Sequence, residues 1–241
     1  MFHIEAYILI KSNIMRLIKM VFSRELTNEE KQIILKLEKF VRKAHAQSDS
    51  HDYAHVLTVC DNSIKIGKEI EDLADPFVCI CGSLLHDIGK TDNTFSHIHG
   101  LFGSSIAEEF LDGLLIKKDT TDAICRVIVR HTPTSMIPPE TTEEKIVFDA
   151  DCLDRLGLMG LIRGFLGKEG SMDKILTTYM ERRLKDYEKL NFKVSKDMGD
   201  WKQQELEGFV MFLQKRLDDR LSSIEDLFEK EGIVSKKVKK K

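Results

Sequence analysis

Five short pieces of this chain carry residues able to do metal or proton chemistry. They are His51-Asp52-Tyr53-Ala54-His55, His86-Asp87, His97-Ile98-His99, His131, and Asp149-Ala150-Asp151. Six of the eight histidines fall in them. Each piece stands at or near a helix end or a polar break, where side chains are commonly presented for function. Imidazole with carboxylate is a hard-to-borderline ligand set. It suits Mn²⁺, Fe²⁺, Co²⁺, Ni²⁺, Mg²⁺ or Zn²⁺ and needs no thiolate. His86-Asp87 alone is also compatible with an incidental helix end, because adjacent side chains on a helix point about 100° apart. Gly89, just beyond, reads as the glycine that closes that helix. The later His and Asp pieces turn the pair into a candidate centre.

The elements that must position these residues read as helices. Thr27-Asn28-Glu29-Glu30 is a capping-box signature, followed by Ile33, Ile34, Leu37, Phe40 and Val41 at helical spacing. A polar break at 48–52 precedes a helix over about Tyr53 to Ile70, with Asp52 its expected cap and His51 a cap or supporting residue. Pro76 opens a nearly all-apolar helix that delivers His86 and Asp87 at its end. Residues 91–99 read as a loop. Helices are expected over Ser104–Leu115, Thr121–Arg130 and Thr142–Leu156, the first two flanking the approach to His131. Met172–Leu190 and Gln203–Phe228 read as two long surface helices, with Trp201 ahead of the second and 181–197 a solvated face. Few glycines and prolines, 14 and 4, agree with an all-α chain. The domain reading is an N-terminal extension over 1–26, a main domain over 27–232 and a disordered basic tail over 233–241.

Composition excludes little but is informative. Apolar residues make up 42% and charged residues 32%, an ordinary soluble balance, and a net charge of −3 gives no pull toward nucleic acid. Five cysteines without a CxxC pair read as thiols in a reducing, cytoplasmic setting. Lys11, Arg16 and Lys19 break the apolar N-terminal stretch, so no membrane span is expected there; it reads as an extra amphipathic helix or as an upstream start before Met20.

From about His45 to Leu190 the sequence resembles the HD superfamily of metal-dependent phosphohydrolases. The family pattern is a His, a His-Asp pair and a distant Asp, which falls here on His55, His86 with Asp87, and Asp151. The resemblance implies an all-α HD-domain helical bundle and a divalent ion held by those four residues. Asp87 would both ligate and orient a water that the ion activates for attack on phosphorus. Phe148-Asp149-Ala150-Asp151-Cys152-Leu153-Asp154, with Gly157, Gly160 and Arg163, is similar to the subgroup that contains nucleoside triphosphate pyrophosphohydrolases. Cys152 replaces the arginine usual there and reads as a buried thiol.

Lys90, close after the pair, is the first candidate for a phosphate contact, with Arg130 and Arg163 behind it. His99 and His131 are candidates for a second metal or for contact with phosphate, and Asp154, on Asp151's face, for holding a ligand histidine or a structural hydrogen bond. The expected substrate is a nucleotide or another small phosphoester, with phosphomonoesterase or cyclic phosphodiesterase activity as alternatives. A non-catalytic nucleotide-sensing module is the alternative from another class.

Overall fold

A computed structural model describes residues 24–47, 53–70, 73–91, 98–135, 137–165 and 179–233. His51, Asp52, His97 and the expected extension and tail therefore lie outside the described residues, apart from 24–26 and Ile233. Among the described residues the regular elements are all helical: α1 Asn28–Ala44, α2 Tyr53–Glu69, α3 Pro76–Leu85, α4 His99–Asp112, α5 Lys118–Arg130, α6 Thr142–Arg155, α7 Gly157–Phe165, α8 Met180–Leu184 and α9 Lys193–Lys230. None is long and apolar enough to cross a membrane.

The all-apolar segment behaves as its composition predicts. Every residue of α3 is buried, and α1, α2, α5 and α6 pack around it. Leu85, Ile88, Ile124 and Ile128 lose essentially all contact with water, each worth about 1.5–3 kcal/mol on burial. Asp75 caps α3 by accepting the Phe77 N–H at 2.8 Å, with Pro76 in the first turn. The Thr27–Glu30 capping box forms in both directions, and Thr141–Glu144 repeats it at the start of α6.

Several boundaries differ from the sequence reading. Gly89 does not adopt the left-handed conformation of a helix-closing glycine. The chain runs on through a 3-10 turn, Ile88–Thr91. A Cβ on Gly89 would lie 2.1 Å from the His99 carbonyl oxygen and 2.7 Å from the Gly103 nitrogen. Gly89 therefore lets the backbone of α4 cross directly over the turn. For the same reason α4 begins at His99 rather than Ser104; Gly100 and Gly103, which look like breakers, face backbone at close range. It ends at Asp112, before Leu115, whose φ is +57°.

The described part of the expected 172–190 helix is the short α8 and a 3-10 turn, Tyr187–Lys189. Asp186 is drawn inward between them to Arg155, at 2.9 and 3.0 Å. Arg183 and Asp186 are buried, so 181–197 is not simply a solvated face. The last helix starts at Lys193 and contains Trp201. Asp149 accounts for that early start. Its carboxylate accepts the backbone N–H groups of Asn191 at 2.8 Å and Phe192 at 3.0 Å, just where α9 leaves its donors unpaired.

Candidate metal centre

The candidate ligands come from five helices, at four of them from an end or first turn. His55 lies in the first turn of α2, and His86 with Asp87 follows α3. His99 opens α4, His131 follows α5, and Asp151 lies within α6. His86 and His131 use one local device. Each stands just past a helix, and its Nδ1 lies against the carbonyl three residues back: Ser83 O at 2.7 Å and Ile128 O at 2.6 Å. A carbonyl only accepts, so each Nδ1 carries the hydrogen and donates it. That satisfies an otherwise orphaned helix carbonyl and leaves Nε2 as a lone pair turned inward. His55 is oriented from farther away. Its Nδ1 donates to Asp154 Oδ2 at 2.6 Å, again turning Nε2 inward.

The result is a convergence of electron-pair donors. His55 Nε2 and His86 Nε2 stand 3.1 Å apart. Asp87 Oδ2 is 3.3 Å from the first and 3.5 Å from the second, and Asp151 Oδ1 is 3.6 Å from His55 Nε2. With both Nδ1 atoms already donating, two neutral imidazoles cannot hydrogen-bond through these Nε2 atoms. With both rings neutral, the facing lone pairs and carboxylates repel one another, and a cation shared among them relieves that repulsion. The separations match the edges of a coordination shell with bonds of about 2.0–2.2 Å. His55, His86 and Asp151 form one group able to hold an ion, and Asp87, His99 and His131 a second. The donor chemistry and spacing thus fit a divalent ion.

Asp87 belongs to both groups through its two oxygens. Oδ1 is 3.2 Å from His131 Nε2 and 3.9 Å from His99 Nε2. Lys90 Nζ lies 2.9 Å from Oδ1 and 3.0 Å from Oδ2. The rings form a row, with centroids 4.9 Å apart for His55–His86, 5.1 Å for His86–His131 and 5.2 Å for His131–His99. His86 and His131 side chains are fully enclosed, whereas His99 is 12% and Lys90 18% exposed, so one side of access lies at the lysine end.

The electrostatics follow from this crowding. Burial pushes His86 down to about 4, against the pull of Asp87. Burial also opposes charge on His55, but Asp154, Asp87 and Asp151 together outweigh it and raise that ring. Burial would raise Asp151; His55, Arg155, His86 and His131 outweigh it and hold this carboxyl well below its ordinary range.

Arg130 is not brought into the cluster. It donates to Pro138 O at 2.6 Å and pairs with Glu140 at 3.0 Å, turned away from its neighbour His131 as successive positions at a helix end are. Arg163 reaches the centre only through Asp154, ion-pairing with Oδ2 and donating to the backbone oxygen at 2.8 Å. Cys152 is fully buried in the core, where burial pushes its thiol far up. The partners that orient the rings, Ser83 and Ile128, are backbone carbonyls; the signal that points to them is a histidine directly after an apolar helix.

Arg163, Asp154 and His55 thus form a supporting chain behind the candidate site. Asp154→Asn is expected to weaken Mn²⁺ affinity by about 10–100-fold, the usual loss when a ligand histidine's carboxylate partner is changed. Titration of the metal-free protein would measure it, and an unaltered affinity would reduce Asp154 to a packing role.

Residues 52–156 match the HD domain family, a span that contains all of the clustered residues. YpgQ of Bacillus subtilis (strain 168) is 24% identical over 180 residues, covering 70% of this chain and 85% of that protein. The crystal structure of YpgQ superposes with a TM-score of 0.61 at 21% identity, covering 78% of this chain and 96% of that one. YpgQ has also been solved in complex with ADP, with a TM-score of 0.59 at 22% identity over 76% of this chain and 97% of that one. An HD-superfamily hydrolase from Bacillus thuringiensis gives 0.58 at 21% identity, covering 78% and 98%. These structures share the fold, and the histidines and aspartates of the centre all fall within residues 52–156, the segment that matches the HD domain family.

Proposed function

We propose that this chain hydrolyses nucleoside triphosphates to a monophosphate and pyrophosphate, with one divalent ion held by His55, His86, Asp87 and Asp151. The ion supplies Lewis-acid chemistry, acidifying water and neutralising phosphate charge. Asp87, at the junction of both groups, orients the attacking water and takes up its proton. Attack at the α-phosphorus forms one P–O bond and breaks the bond to the β-phosphate bridge, so pyrophosphate leaves. Lys90 and, when protonated on Nε2, His99 and His131 donate to the phosphate oxygens. Assigning the second group to phosphate rather than to a second ion rests on Lys90. Its ammonium stands with His99 at the accessible end of the row, where a fixed positive charge suits an incoming phosphate.

The observation that carries the nucleotide part is ADP bound by YpgQ on the same fold. The Phe148–Asp154 segment, with its likeness to the pyrophosphohydrolase subgroup, supports the position of cleavage. A panel of nucleoside tri-, di-, mono- and cyclic phosphates, assayed for pyrophosphate and phosphate with several divalent metals, tests it. Pyrophosphate from triphosphates is expected. Phosphate from monophosphates, or opening of cyclic esters, would replace this reaction with another on the same centre. Binding without turnover under every metal would make the chain a sensor.

Lys90→Ala is expected to lower kcat/KM by about 10–100-fold, the loss of one charge-assisted phosphate contact worth about 1.5–3 kcal/mol, with metal content unchanged. Steady-state kinetics alongside metal analysis would show it. An undiminished kcat/KM would leave Lys90 as a partner of Asp87 alone.

A further inference from the structure

The last helix is longer than the body it packs on. α9 has 38 residues, about 57 Å at 1.5 Å per residue. Leu206 and Val210 are buried with Leu161 and Met180. Beyond Val210 no residue of α9 is buried. The apolar stripe nevertheless continues: Leu206, Val210, Leu213 and Leu217 are each followed eleven residues later by Leu217, Leu221, Ile224 and Phe228. An eleven-residue repeat has about 3.67 residues per turn, close enough to the α-helix to keep all these positions on one face. Leu213 still rests partly on that cluster; beyond it the face opens to water, with Leu221 59%, Ile224 39% and Phe228 41% exposed. A run of this kind marks an interaction surface.

We propose that the overhang, residues 211–230, docks on the same segment of a second copy of this chain, antiparallel about a two-fold axis between Arg220 and Leu221. Three features select that occupant and orientation. The stripe is continuous with the part covered by the chain's own α7 and α8, so each body already occupies the stripe side of its helix. Parallel helices would bring two bodies to one place, whereas antiparallel helices put them at opposite ends. About the stated axis, Leu217 faces Ile224 and Leu213 faces Phe228, apolar on apolar. Charge agrees. Residues 211–220 carry Lys215, Arg216 and Arg220 against Asp218 and Asp219, a net of +1; residues 221–230 carry Lys230 against Glu225, Asp226 and Glu229, a net of −2. The two halves lie about 15 Å long each, more than a Debye length of about 8–10 Å, so each senses chiefly the half opposite. Antiparallel pairing sets unlike halves together, and parallel pairing sets like on like. The contact is isologous and closes at two subunits.

Light scattering on the full chain during gel filtration tests this. The expected mass is twice 27.7 kDa, falling to a single chain in a Leu221→Glu, Ile224→Glu variant whose melting temperature and metal content stay those of a folded body. Orientation is read by oxidative cross-linking of Leu213→Cys and Phe228→Cys chains, over the background of native cysteines that are buried or half-buried. A disulfide-linked dimer is expected when the two variants are mixed and not from either alone. Cross-linking of Phe228→Cys with itself would overturn the antiparallel arrangement. A wild-type chain that stays monomeric at every concentration, or a dimer untouched by the double glutamate variant, would overturn the interface and leave the stripe to another occupant.

Discussion

Alanine in place of His86, or in place of Asp151, is expected to empty the centre of its divalent ion and abolish turnover. Each removes one of few ligands, and the remaining set cannot close a shell around the ion. The expected fall is from near one ion per chain to near none, with kcat/KM reduced about a thousandfold or more, which corresponds to about 4 kcal/mol or above in the barrier. The reason is visible in the separation of the two Nε2 atoms. At 3.1 Å, with both Nδ1 hydrogens donated elsewhere, they are held in opposition for a cation to bridge. Metal binding also stabilises the folded chain, by about 2.7 kcal/mol at a free concentration a hundred times Kd. Added Mn²⁺ should therefore raise the melting temperature of the wild-type chain and leave that of His86→Ala where it was. Full metal occupancy in both variants would remove these residues from the ligand set.

The largest structural effect is expected at a position with no side chain. Gly89→Ala places a methyl group 2.1 Å from the His99 carbonyl oxygen and 2.7 Å from the Gly103 nitrogen. Both neighbours are backbone, so no rotamer change relieves the overlap and α4 must move. Overpacking of this kind costs about 3 kcal/mol or more, roughly 6–12 °C in melting temperature for a chain of this size. The shift carries His99 away from Asp87, so activity falls with stability. Gly208→Ala is the contrasting case. Nothing lies within 4 Å of its Cβ, and the helix should gain about 0.5–1 kcal/mol. A melting temperature unchanged by Gly89→Ala would show that the turn and α4 do not cross as described.

These two sites also show what the sequence could and could not convey. Most of the candidate ligands were legible in order along the chain because they lie at local breaks: after the all-apolar α3, after α5, and in the first turns of α2 and α4; Asp151, inside α6, has no such break. The Thr27–Glu30 capping box and Pro76 at the start of α3 are likewise local, spanning three or four residues. The role of Gly89 was misread because its constraint comes from α4 rather than from its own helix end. Asp149 offered no trace of its task, since the N–H groups it accepts lie more than forty residues onward, at Asn191 and Phe192. Asp186 looked solvated for a similar reason; its partner Arg155 is distant in sequence. Arg130 was a candidate phosphate contact, yet it stands one position from His131 at a helix end and faces another way, to Pro138 and Glu140. Periodicity records neighbours within a turn or two, whereas backbone crossings and long-range caps leave no periodic mark.

The most direct test of the centre is anomalous diffraction from crystals of the Mn²⁺-loaded chain. The account predicts one peak, about 2.0–2.3 Å from His55 Nε2, His86 Nε2 and carboxylate oxygens of Asp87 and Asp151. A peak found only among Asp87, His99 and His131, or none within reach of His55 and His86, would contradict it.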